Sequence, residues 1–114
     1  IQAMGSASAR DDIKFLKQAL FSGGLPHAEA LAGGLSILQC NDLRDDLAGL
    51  KIPVKGIFGR LDSLVALRSI EQMAPSLHDF DYRVLAKASH APFISHREEF
   101  MTALKGLYSL SSVI

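Results

Sequence analysis

Val84-Leu85-Ala86-Lys87-Ala88-Ser89-His90-Ala91-Pro92-Phe93 is a short apolar run that gives way to a turn with a histidine at its tip. Ser95-His96-Arg97-Glu98 follows, a Ser-x-x-Glu pattern that marks a helix start. Open α/β sheets place their chemistry there, outside the carboxyl end of a strand and before a helix. Residues 54–58 repeat the plan upstream: an apolar run, Gly59 at a turn, then Asp62 before another helical stretch. The chain therefore offers an acid and a base, each after its own strand.

Around these two loops the elements are legible. Pro53 opens the strand at 54–58, where its missing N–H does little harm. The spacing predicts a helix over 64–73, ended by Ala74-Pro75. Residues 80–85 form the second strand, with Phe80, Tyr82 and Val84 alternating against Asp81 and Arg83. Ser95 caps a last helix whose face is Phe100, Leu104 and Leu107, with Met101 and Tyr108 beside it. A strand, a crossover helix and a second strand make a βαβ unit, so the two strands are expected to be parallel. Parallel sheets are buried on both faces and rarely stop at two strands. The expectation is that a missing N-terminal part of the same protein, or a second copy, closes the open edge.

The earlier part reads as helical. Ser8-x-x-Asp11 starts a helix over 8–22 with Ile13, Leu16, Ala19 and Leu20 at helical spacing, stopped by Gly23-Gly24 and Pro26. Arg10, Lys14 and Lys17 fall in one line on its other face. That line is either a solvated face or a docking stripe for an acidic or phosphorylated partner. A second helix covers 27–40, with Ala28, Leu31, Leu35 and Leu38 in a stripe. Gly33-Gly34 inside it weakens the helix, or lets another backbone or a ligand come close. His27 reads as an exposed end residue, and Cys40 as a small buried apolar group. Residues 41–47 make a helical turn that buries Leu43, Leu47 and Leu50 and leads into the α/β part.

Length and composition set the bounds. The chain has 114 residues, 48% hydrophobic, with twelve basic and twelve acidic side chains and formal charge +0. That suffices for one domain and gives no overall field for nucleic acid or an anionic membrane. No apolar run approaches the roughly 20 residues of a membrane span. The single cysteine rules out an intrachain disulfide and fits a reducing compartment, so a cytoplasmic location is expected. Ile1 is not an initiator methionine, and 1–10 resembles no signal peptide, so a larger gene product is expected.

In a parallel βαβ unit both loops open on the same edge, so Asp62 and His90 can meet. An aspartate that accepts from Nδ1–H fixes the imidazole tautomer and stabilises the imidazolium as Nε2 takes a proton. Such a pair needs a hydroxyl or thiol facing Nε2. α/β-hydrolases supply it from a G-x-S-x-G elbow earlier in the chain. Gly34-Leu35-Ser36-Ile37-Leu38 comes nearest, but it lacks the second glycine and lies in the helical part. The other reading is that Asp62 and His90 are turn residues chosen for geometry alone. His96, beside the predicted cap, reads as a neutral structural or rim residue, and His78 as solvent-facing loop. The four histidines lack a ligand spacing such as H-x-x-x-H, so neither a metal nor a cofactor is expected.

These residues resemble a family. Phe58-Gly59-Arg60-Leu61-Asp62-Ser63-Leu64-Val65 is similar to the G-x-x-D-x-x-V segment around the acid of α/β-hydrolases. The stretch Ala86-Lys87-Ala88-Ser89-His90-Ala91-Pro92-Phe93-Ile94-Ser95-His96 resembles the histidine loop of the pimeloyl-acyl-carrier-protein methyl ester esterases of biotin synthesis. Gly33-Gly34-Leu35 with Ile37-Leu38, Asp42-Leu43-Arg44, and Met4-Gly5 with Ala9-Arg10 and Asp12 fit the same group. The resemblance implies a partial α/β-hydrolase fold: residues 1–44 as lid helices, and 45–114 as the last two parallel strands and flanking helices of the core. It further implies Asp62 as triad acid, His90 as triad base, and Arg10 and Lys14 as lid residues facing the carrier protein. Lys14 stands where the group usually has arginine, which loses a bidentate contact. Val65-Ala66 replaces the common V-P after the acid. The implied activity is serine carboxylesterase action on the carrier-bound pimeloyl methyl ester, with nucleophile and oxyanion loop outside this chain. Two rivals stay open: another α/β-hydrolase specificity, and a non-catalytic module that binds an acidic carrier protein.

Overall fold

The computed structural model describes residues 9–109. Met4, Gly5 and Ser8, and with Ser8 the proposed first helix cap, lie outside them. The order is α1 (Ala9–Phe21), α2 (Ala28–Cys40), α3 (Arg44–Ala48), β1 (Val54–Gly59), α4 (Leu67–Met73), a 3₁₀ turn (Ala74–Ser76), β2 (Phe80–Leu85), α5 (Pro92–Ser95) and α6 (Arg97–Ser109). The two strands pair in parallel, from Val54 opposite Phe80 to Gly59 opposite Leu85. They end level, so the loops carrying Asp62 and His90 leave the same edge side by side.

One glycine lets the aromatic side chains of the sheet fit. A Cβ on Gly56 would fall 2.5 Å from the Phe58 ring, which lies across that position. Phe58 meets Tyr82 edge-on at 6.1 Å, and Phe80 stacks on Tyr82 at 5.1 Å. Helix α6 packs on both strands and buries Leu107 completely. Ile70 of α4, Leu77, Leu85 and Ala88 complete the buried apolar set among the described residues. The core therefore lies under the βαβ unit and its loops.

Three local expectations change. The crossover helix begins at Leu67, three residues later than predicted, because the Asp62 carboxylate takes the Leu64 and Val65 amides into a turn and Ala66 is extended. Ser95 does not cap α6: it ends α5, and its hydroxyl contacts the Ala91 carbonyl and the His96 ring. His96, off helical geometry, separates the two helices. Strand β2 shows no inside–outside alternation, since Phe80 to Val84 are all half-buried.

The first helices are barely covered. No residue of α2 is buried, and Leu31, Leu35, Ile37 and Leu38 are all exposed. Among the described residues nothing outside the helix's own backbone lies within 4 Å of a Cβ on Gly33 or Gly34, so none of them uses that gap. Cys40, expected inside, is exposed and lies 3.8 Å from the Ser36 hydroxyl. Leu43 is also exposed, while Leu47 and Leu50 are half-buried.

Candidate active site at the strand ends

The two loops are joined backbone to backbone before any side chain meets. The Arg60 amide donates to the Leu85 carbonyl at 3.0 Å, and the Leu61 amide donates to Ala88 at 2.9 Å. Arg60 Nε adds a bond to the Ala86 carbonyl at 3.2 Å. Gly59 makes this approach possible. A Cβ there would fall 2.1 Å from the Ser89 carbonyl oxygen and 2.6 Å from that of Ala88. Ser89 is 2% exposed, and its hydroxyl donates to the Leu61 carbonyl at 3.4 Å.

On this frame Asp62 Oδ2 lies 3.0 Å from His90 Nδ1. Asp62 Oδ1 accepts the Leu64 amide at 2.8 Å and the Val65 amide at 3.0 Å. Each carboxylate oxygen therefore has its own donors, and the group cannot rotate without losing them. The Asp62 side chain is 8% exposed and that of His90 46%, a sheltered acid beneath an accessible base. Burial opposes ionisation of Asp62. The Val65 amide, the imidazole and the Leu64 amide outweigh it, and the pKa lies below the ordinary carboxylate value. An ionised carboxylate only accepts, so Nδ1–H donates and the lone pair of the neutral ring falls on Nε2. The arrangement can take a proton at Nε2 and stabilise the resulting imidazolium.

A pH experiment tests this electrostatic reading. The folded-state pKa of Asp62 lies below the unfolded value of about 3.9, so ionised Asp62 favours the folded chain above that pH. The contribution is expected to disappear as pH falls through the lowered value. In urea unfolding series taken down to about pH 2, Asp62→Asn should flatten the acid limb of stability. Parallel acid limbs for parent and variant would remove this assignment.

The other candidates do not join the pair. Arg10 and Lys14 are exposed on α1. His78 is exposed, and the His96 Nδ1 atom lies 2.8 Å from the Ser95 hydroxyl. Among the described residues no group of three or more His, Cys, Asp or Glu could hold a metal ion. No helix among them is long and apolar enough to cross a membrane. A surface cleft of about 510 Å³ lies elsewhere, lined by Arg44, Leu47, Ser69, Gln72, Met73 and Ser76. The sequence reading missed the amide donors of Asp62 and the contacts of Gly59 and Ser89. An Asp two and three residues before amide donors is the one local signal for the first.

The parallel unit, with its helices, is part of an α/β-hydrolase fold. An α/β hydrolase enzyme from the metagenome of lagoon sediments of Mar Chica, Morocco, superposes with a TM-score of 0.67 at 22% identity, over 94% of this chain and 48% of that one. In sequence the chain is similar to curated proteins named pimeloyl-[acyl-carrier protein] methyl ester esterase. The protein of Shewanella oneidensis is 50% identical over 104 residues, which are 91% of this chain and 39% of the relative. That of Aliivibrio fischeri is 45% identical over 105 residues, 92% of this chain and 41% of the relative. The chain thus spans about two fifths of the length of the curated relatives it matches. No family model matches it.

Proposed function

We propose that these residues supply the acid and base of a serine carboxylesterase that hydrolyses the methyl ester of pimeloyl-acyl-carrier protein. The observation that carries this reading is the 3.0 Å contact between Asp62 Oδ2 and His90 Nδ1 at the paired strand ends. The names of the relatives supply the substrate class. His90 Nε2 takes the proton of a serine hydroxyl contributed from outside these 114 residues, and Asp62 stabilises the imidazolium. The serine oxygen attacks the ester carbonyl. The proton then passes from Nε2 to the departing methoxide, which leaves as methanol. Water attacks the acyl-enzyme while His90 takes its proton, the bond from acyl carbon to serine oxygen breaks, and Nε2 returns the proton to that oxygen as the free acid leaves and ionises. These steps draw on no cofactor or metal.

Under this proposal residues 1–44 belong to the lid and 45–114 to the core, in a cytoplasmic enzyme. The absent part of the sheet, from the N-terminal side of the same protein or from a second copy, covers the free edge of β1. A chimera tests it. The preceding portion of the Shewanella oneidensis relative is joined to these 114 residues and assayed for methanol release from the carrier-bound ester. The chimera should turn over, and the 114 residues alone should not. Activity of the chain alone, or a folded but inert chimera, would refute the assignment. Hydrolysis of small esters but not the carrier-bound one would point to another α/β-hydrolase specificity.

A second reading has its own observation: Arg10, Lys14 and Lys17 are all exposed on α1. Within the esterase proposal, Arg10 and Lys14 meet the acidic carrier protein; in the rival reading the stripe is the whole function. Arg10→Glu with Lys14→Glu should weaken carrier-protein binding by roughly tenfold, measured by titration calorimetry at low salt. An unchanged affinity would exclude the stripe from either role.

A further inference from the structure

We infer that Ser89 is a positioning residue for the Asp62–His90 pair, acting through the peptide of Leu61. The inference deepens the esterase reading and rests on it for the effect on turnover. Leu61 is gripped at both ends by the opposite loop. Its amide donates to the Ala88 carbonyl at 2.9 Å, and its carbonyl accepts the Ser89 hydroxyl at 3.4 Å. The next residue on one loop is Asp62, and the next on the other is His90. The spacing between the grips therefore sets where both side chains start, and the 3.0 Å contact is read out one residue further along.

Ser89 is the buried polar side chain of the described core, at 2% exposure. It is the serine adjacent in sequence to His90, yet its burial and its bond to Leu61 exclude it as a nucleophile. A purely apolar filling would also occupy this space, but it would leave the Leu61 carbonyl without that donor, and the end of the grip nearest Asp62 would be lost while the Arg60 and Leu61 amide bonds remain. The Ser89 backbone also lies close to Gly59, where an added Cβ would fall 2.1 Å from the Ser89 carbonyl oxygen, so the same residue meets the first loop through main chain and side chain. The effect on the reaction is geometric: displacements of about 1 Å remote from the reacting atoms cost roughly a hundredfold in rate.

The experiment has two readouts. In the full 114-residue chain labelled with ¹⁵N-histidine, the His90 Nδ1–H proton is followed by NMR. In the chimera, kcat and KM are followed separately. Ser89→Ala should broaden or erase the Nδ1–H signal while the chain stays folded by its thermal midpoint. It should lower kcat roughly tenfold to a hundredfold with KM little changed. Ser89→Thr, which keeps the hydroxyl, should restore both. Should Ser89→Ala fail to fold, Ser89→Cys, close in volume and a poor donor, decides in its place. A folded Ala or Cys variant with the parent's Nδ1–H signal and kcat would overturn the inference. An inactive parent chimera would instead count against the esterase reading and leave the imidazole signal to decide the role of Ser89.

Discussion

Asp62→Asn in the chimera should lower kcat by about 10⁴-fold and leave KM within a few-fold. The carboxylate accepts from Nδ1–H, which leaves Nε2 free to take the serine proton. An asparagine in the same place can present its NH₂ to Nδ1. The ring then carries its proton on Nε2, where it cannot act as a base. The backbone frame should survive, because the amide oxygen of Asn can still accept the Leu64 and Val65 N–H groups. Single-turnover kinetics check the prediction, with circular dichroism to establish that the variant is folded. A loss below about tenfold would mean that the acid does not set the tautomer.

The second large effect is expected at Gly59. A side chain there would meet backbone, the Ser89 carbonyl oxygen at 2.1 Å and the Ala88 carbonyl at 2.6 Å, and backbone cannot swing aside as a flexible side chain can. Gly59 does not hold a positive φ, so the penalty is steric and not conformational. Gly59→Val should therefore cost about 3 kcal/mol or more of stability, read from the urea midpoint, with Gly59→Ala less severe. Both should lose the His90 Nδ1–H signal, because the two loops must part. Gly106→Ala is the control, since a Cβ there meets nothing within 4 Å. An undiminished midpoint for Gly59→Val would show that the loops are not held at this approach.

Much of this arrangement could be read from residue order. Two apolar runs separated by a helical stretch read as a strand–helix–strand unit with parallel strands, and parallel pairing puts both strand exits on one edge. The ranges followed closely, since Pro53 and Gly59 bracket β1, and the second strand lies at Phe80–Leu85 as read. What failed was the choice between competing local hydrogen bonds, and the expectation of burial where nothing covers a face. Leu64 and Val65 looked helical, but the Asp62 carboxylate holds their amides. Ser95 matched a capping pattern, but its hydroxyl turned back to Ala91. Cys40 reads as a small apolar group that favours burial, yet it is exposed at the end of a helix with no buried residue. A helical stripe identifies a face that favours burial, and it does not identify what buries it.

The paired strand ends have a consequence for how such a protein can be taken apart. Asp62 and His90 are 28 positions apart within one uninterrupted strand–helix–strand passage, and every bond that aligns them arises inside it. The passage behaves as a cassette. A recombination crossover placed ahead of Pro53 transfers the acid, the base and their alignment intact to a new host. One placed between Gly59 and Ala88 separates Gly59 from the carbonyls fitted to it, and two parental loops that never matched would have to share one gap.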